Sequence, residues 1–245
     1  MNLKNKVAVI TGGNSGIGLG TAKELKALGA TVIITGRRKE ALEKAAQEIG
    51  AVYFMADQSK IEDIDTLSKV IQQQYGKVDI LFINAGITGK PLLIENANEE
   101  NFDAVMSINF RGAYFTLNRF IPLLNEGASV VFLSSNTASM HKPQSSVYQA
   151  SKAALNSIAK TAAAELASKK IRVNTVSPGP TRTNVLNGSY GEEAADAIWN
   201  NLAGIIPLKK TGTPADVAKM VAYLCSENAS YITGADFLID GGMTL

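Results

Sequence analysis

One cysteine and one histidine stand in a chain of 245 residues, and each scarcity removes a class of chemistry. The single thiol, Cys225, forbids an internal disulfide and a cysteine-rich zinc site. The single imidazole, His141, leaves a His-based metal centre or a Ser-His-Asp arrangement almost nothing to build on. Set between Met140 and Lys142 and just before Pro143, it reads as an exposed loop residue. No apolar run approaches the length of a membrane span, and Met1 leads quickly into the strand-like Val7-Ala8-Val9-Ile10, so a soluble cytoplasmic protein is the expectation. An excess of one charge is also missing, because 24 Lys and Arg against 22 Asp and Glu leave a formal +2. The basic groups Arg37-Arg38-Lys39, Lys169-Lys170 and Lys209-Lys210 fall short of a nucleic-acid stripe. Neither nucleic acid nor membrane is an expected partner.

What is present is ordinary globular material, 46% hydrophobic and 19% charged, with a repeating pattern. Short apolar runs at 7–11, 31–35, 52–56, 78–83, 129–133, 171–176 and 235–239 read as strands. Between them lie stretches with helical periodicity, such as Ile61, Ile64, Leu67, Ile71 and Tyr75. Strand–helix alternation implies a parallel sheet with right-handed crossovers, whose ligands bind at the carboxyl ends of the strands. Gly12, Arg37, Asp57 and Asn84 all fall at such ends. The first strand runs into Thr11-Gly12-Gly13-Asn14-Ser15-Gly16-Ile17-Gly18 and then a helix, the context a phosphate-cradling turn requires. One long helix is predicted over 98–124, with Phe102, Val105, Met106, Ala113 and Thr116 on the same stripe as Asn109. A polar side chain on such a stripe needs a partner. From 184 to 211 the alternation fades into an insertion carrying Trp199, placed where a substrate lid would sit. The apolar Val185, Leu186, Trp199, Leu202, Ile205 and Ile206 fit either a lid packed on itself or a partly apolar ligand. No linker or repeat divides the chain, so 1–245 reads as one domain.

Tyr148 and Lys152 lie one helical turn apart and share a face. A phenol with an ordinary pKa of about 10 becomes a useful acid–base group near neutrality only if the phenolate gains about 4 kcal/mol. An ammonium at roughly 4 Å can supply that at an intermediate dielectric. The expectation is therefore a Tyr148 pKa lowered by Lys152.

Taken in order, Thr11-Gly12-x-x-x-Gly16-x-Gly18, Asp57, Asn84-Ala85-Gly86, Asn109, Ser135, Tyr148-x-x-x-Lys152 and Pro178-Gly179 resemble the short-chain dehydrogenase/reductase family over the whole chain. The resemblance implies a doubly wound, three-layer αβα Rossmann-type sandwich with a seven-stranded parallel sheet. It implies an NAD(P)-dependent carbonyl reductase or alcohol dehydrogenase whose catalytic residues are Asn109, Ser135, Tyr148 and Lys152. Ser135 would bind the substrate oxygen and Tyr148 would transfer its proton. Lys152 would bind the nicotinamide ribose, and Asn109 would anchor a water leading from Lys152 to solvent. The cofactor would lie along Gly12, Asn14, Ser15, Gly16, Ile17, Gly18, Arg37, Arg38, Asp57, Gln58, Asn84, Ala85, Gly86, Tyr148, Lys152, Pro178, Gly179, Thr181 and Thr183. The family's habits further imply a homotetramer, pairing the helices that contain 99–124 and 148–167.

NAD-dependent dinucleotide folds place an acid at the end of the second strand. This chain has Gly36 there, followed by Arg37 and Arg38, and guanidinium groups can grip a 2′-phosphate. NADP(H) is accordingly the expected cofactor and NAD(H) the alternative. A cofactor-sensing regulatory protein would not need Ser135, Tyr148 and Lys152 together. An epimerase or dehydratase would need another acid or base near 184–211, where Glu192, Glu193 and Asp196 read as a solvated face.

Overall fold

The computed structural model describes residues 1–183 and 192–245. Seven parallel strands form one sheet in the order β3-β2-β1-β4-β5-β6-β7. They are β1 (Val7–Thr11), β2 (Thr31–Gly36), β3 (Val52–Met55), β4 (Val78–Ile83), β5 (Leu124–Leu133), β6 (Arg172–Pro178) and β7 (Asp236–Ile239). The order reverses between β1 and β4, which opens a crevice at their carboxyl ends. The helices are α1 (Gly16–Ala27), α2 (Lys39–Ile49), α3 (Ile61–Tyr75), α4 (Glu99–Met106), α5 (Ala113–Phe120), α6 (Ser146–Leu166), α7 (Glu192–Ile205) and α8 (Pro214–Leu224).

Strand alternation sorts the core into two layers. Val9, Leu81, Val130 and Val173 face one side and pack with Leu67 and Ile71 of α3, Leu117 and Phe120 of α5, and Leu155 and Ala159 of α6. Ala8, Ile10, Ile80, Phe82 and Val131 face the other and pack with Leu25 of α1, Leu42 of α2, and Val217 and Val221 of α8. Both faces of the central strands are buried, which is why those strands read as near-continuous apolar runs. Cys225 is in the second layer and His141 is exposed.

The predicted helix over 98–124 is corrected in two ways. It is broken into α4, a π-helical segment Ser107–Gly112 and α5, and it ends in a 3₁₀ turn, Ile121–Leu123, after which β5 starts at Leu124 rather than 129. Phe102, assigned to the buried stripe, is 49% exposed, because the π-helical segment rotates α4 relative to α5. Asn98 caps α4 by accepting from the Asn101 N–H. Thr213, Pro214 and Asp216 form the expected start of α8, a full capping box. Of the predicted lid, 184–191, including Val185 and Leu186, lies outside the described residues, while α7 carries Trp199 in a buried position. Among the described residues no helix is long and apolar enough to cross a membrane.

Candidate active site

A cleft of ≈ 550 Å³ runs across the carboxyl ends of the strands, from Arg37 and Asp57 at one end to Ser135, Tyr148 and Trp199 at the other. At its centre the chain turns sharply from β1 into α1. Gly12 (φ 64°) and Gly16 (φ 54°) hold left-handed conformations there. Gly18 has no room for a side chain, since a Cβ would lie 2.3 Å from the Gly12 carbonyl oxygen. Asn84 braces this turn: its Nδ2 donates to the carbonyls of Thr11 (2.8 Å) and Gly12 (3.1 Å). The Thr11 hydroxyl accepts from the backbone N–H groups of Asn84 and Ala85. Asn84, expected along the ribose, therefore spends its amide N–H groups inside the protein while still lining the cleft.

Three observations test whether the residues fit a dinucleotide. Ser15 precedes α1 without capping it, and no acidic residue occupies the first turn, so the helix N-terminus keeps its N–H groups and positive dipole end for an anion. Glycines leave the backbone bare at the cleft floor. Arg37 and Arg38 line the far end, both exposed, and among the described residues no ion pair involves either guanidinium. These are a pyrophosphate's requirements with a second anionic position at the rim, and the residues fit. Beside the arginines, a Cβ on Gly36 would come within 2.7 Å of Asn14 Oδ1. Asp57 lines the cleft, and its Oδ1 accepts from the N–H (3.0 Å) and hydroxyl (2.8 Å) of Ser59, closing the turn before α3.

At the other end, Ser134 and Ser135 follow β5. Ser134 Oγ donates to the Lys152 carbonyl (3.2 Å) and so secures α6. Ser135 Oγ accepts from the N–H and hydroxyl of Thr137 (3.2 and 2.9 Å) and shares a hydrogen bond with the Tyr148 side chain. Lys152 is 3% exposed, and its Nζ donates to the Leu133 carbonyl at 2.7 Å. Burial pushes its pKa down to about 8. Burial also pushes Tyr148 above its ordinary 10, with the Ser135 hydrogen bond pulling the other way. The expected lowering of Tyr148 by Lys152 is thus corrected in sign. The ammonium is held by a carbonyl and stands 5.7 Å from the centre of the Tyr148 ring, and withdrawal from water drives both groups toward their neutral forms.

Asn109 is fully buried in the π-helical segment. Its Oδ1 accepts from the Ile87 N–H, and its Nδ2 donates to the Ile87 carbonyl and to Ser151 Oγ, which donates on to the Tyr148 carbonyl. Both amide donors are spent inside the protein, so the side chain works as a brace between the loop after β4 and α6. Gly86 lies against it: a Cβ there would be 3.1 Å from Asn109 Oδ1 and 3.4 Å from Lys152 Nζ. Gln58 lines the cleft as well, while its side-chain amide donates to Ala85 O (3.1 Å) and Ile108 O (3.0 Å).

After β6, Gly179 packs against Asp240 and donates to the Ile239 carbonyl. Thr181 bridges to Gly212, Thr183 faces Gly16, and all three line the cleft with Pro178. Arg182 pairs with Asp196 of α7, so one acid of the solvated face has a partner. Ile87, Thr88 and Ile108 also line the cleft. Sequence reasoning missed them, since nothing short of the π-helical segment and the loop after β4 marks them.

A family model described as enoyl-(acyl carrier protein) reductase matches residues 12–244. The chain is 35% identical over 252 residues to the 3-oxoacyl-(acyl-carrier-protein) reductase FabG of Thermotoga maritima, covering 100% of both chains. Among solved structures, 3-ketoacyl-(acyl-carrier-protein) reductase from Brucella melitensis, complexed with NADH, superposes with a TM-score of 0.91 and 35% identity over 100% of both chains. A blue fluorescent protein from a metagenomic library, in complex with NADPH, superposes with a TM-score of 0.91 and 27% identity, again over 100% of both chains.

Proposed function

Since the chain belongs to the short-chain dehydrogenase/reductase family of oxidoreductases, we propose that it is an NADP(H)-preferring reductase of a small-molecule carbonyl, with Tyr148 as the acid–base group. The observation that carries this reading is the meeting of Tyr148 and Ser135 at one end of a cleft whose floor is the uncapped N-terminus of α1, with the buried Lys152 Nζ 5.7 Å from the centre of the Tyr148 ring. A reduced nicotinamide, when bound, supplies the hydride. Its pyrophosphate would rest on the turn from Gly12 to Gly18, with Arg37 and Arg38 at the adenosine end and Lys152 and Pro178-Gly179 at the reacting end.

The chain's own residues do the rest. Ser135 and Tyr148 hold the substrate oxygen between two hydroxyls. A phenol is protonated at neutral pH and burial pushes Tyr148 further that way, so the resting side chain carries the proton that a reduced carbonyl needs. Reduction is thus favoured near neutrality, and alcohol oxidation requires a more alkaline medium. Lys152, with a pKa of about 8, is mostly charged at pH 7 and would hold the nicotinamide ribose hydroxyls next to Tyr148. Asn109 and Ser151 keep α6 fixed against the loop after β4. Trp199 of α7, Ile87 and Ile108 add apolar surface to the cleft, supporting a partly apolar substrate.

Residues 1–245 act as one catalytic unit in this reading, and the unit assembles into a two-fold symmetric homotetramer. Phe102 and Tyr114 are 49% and 47% exposed, and α6 exposes Ala153 and Ala164, apolar side chains suited to contact with a second copy. The test is NADPH consumption over a panel of ketones, aldehydes, sugars and acyl thioesters, repeated with NADH. At least one carbonyl must be reduced with NADPH; a panel without turnover overturns the reading.

A further inference from the structure

Gln58 is 7% exposed, and its position is unusual for a glutamine. The side-chain nitrogen donates to two carbonyls from separate elements, Ala85 after β4 and Ile108 in the π-helical segment. The side-chain oxygen is buried with no partner. Two acceptors fix which end carries the N–H groups, so the unpaired oxygen is the cost of the position, one that an apolar residue of similar size would not incur. The backbone is committed as well: Gly112 closes the π-helical segment directly over Gln58, and a Cβ on Gly112 would stand 2.0 Å from the Gln58 carbonyl oxygen.

A π-helical turn forgoes regular i to i−4 bonding and needs tertiary contacts to hold it. Gln58 supplies them on one side, and Asn109, one residue past Ile108, supplies them on the other through Ile87 and Ser151. Between the two braces lies Gly86, 3.4 Å by its virtual Cβ from Lys152 Nζ. We propose that Gln58 is a positioning residue: its amide N–H groups clamp the π-helical segment to the loop after β4 and thereby set Asn109 and Gly86 against Lys152. Because Gln58 immediately follows Asp57 at the adenosine end of the cleft, the clamp also ties that end to the catalytic end.

The inference rests on the reductase reading for its kinetic arm but not for its structural one. Gln58→Leu removes the donor and keeps most of the volume; Gln58→Glu keeps the shape and sets a carboxylate against two carbonyls. NADPH affinity is titrated by fluorescence for both, and the kinetic comparison is made at saturating NADPH. Hydrogen exchange of amides in 107–112 should rise by about tenfold or more in both variants, with Gln58→Glu the worse. Turnover of any carbonyl that wild type reduces should fall by about tenfold or more through kcat, with KM little changed. A role in filling space alone predicts the reverse ranking, the isosteric Gln58→Glu resembling wild type. Unchanged exchange over 107–112 in both variants, or that reverse ranking, overturns the proposal. If wild type reduces nothing on the panel, the reductase reading fails while the exchange data still decide the clamp.

Discussion

Lys152→Met should change the pH dependence of stability in a direction set by burial. The ammonium is withdrawn from water in the folded protein, and a pKa taken from 10.5 to about 8 corresponds to about 3 kcal/mol against the charged form. At pH 7, below the folded-state value, wild type carries that cost in full while Lys152→Met carries none. Between pH 8 and 10.5 the unfolded chain still holds the Lys152 proton while the folded chain has released it. The unfolded state then binds more protons, and wild-type stability relative to Lys152→Met must rise with pH, by up to about 3 kcal/mol across that window. Other titrating groups are common to both proteins and drop out of the difference. Urea unfolding at pH 7, 8, 9 and 10, at one protein concentration, reads it directly. A difference that stays flat or falls as pH rises would refute the burial argument for Lys152.

Arg37→Ala should weaken NADPH at least about tenfold, or about 1.4 kcal/mol, and leave NADH nearly unchanged, as read by binding titration. Gly36→Asp alone should gain little NADH affinity, because its Cβ meets Asn14 Oδ1 at 2.7 Å; adding Asn14→Ala should release that gain. Gly112→Ala should cost about 3 kcal/mol or more by driving a methyl into the Gln58 carbonyl, seen as a fall in Tm of about 6 °C or more. Light scattering at micromolar concentration should report an oligomer, and Phe102→Glu with Tyr114→Glu should shift it toward the monomer.

The sheet was legible because each parallel strand is buried on both faces and shows as an apolar run, with Gly12, Arg37, Asp57 and Asn84 following from the strand ends. Ser135, Tyr148 and Lys152 were legible from order and spacing. The break in the helix over 98–124 was not, because the π-helical segment is held by Gln58, 50 residues upstream of Ile108, a contact no local pattern announces. For the same reason the bracing role of the Gln58 and Asn84 amides was not legible, although both residues line the cleft. The sign of the Tyr148 shift was also out of reach. Spacing puts a lysine beside a tyrosine, but only burial and the Leu133 carbonyl decide which influence dominates.

Transfer of the nicotinamide hydrogen tests the central claim most directly. Wild type and Tyr148→Phe are incubated with NADPH dideuterated at C4 and the carbonyl panel, and the products are read by mass spectrometry while NADPH affinity is titrated in parallel. The account predicts at least one alcohol carrying deuterium from wild type. In Tyr148→Phe that product should fall by about 10²-fold or more, with NADPH affinity within a few-fold. No deuterated alcohol from wild type, or more than about a tenth of wild-type product from Tyr148→Phe, would contradict it.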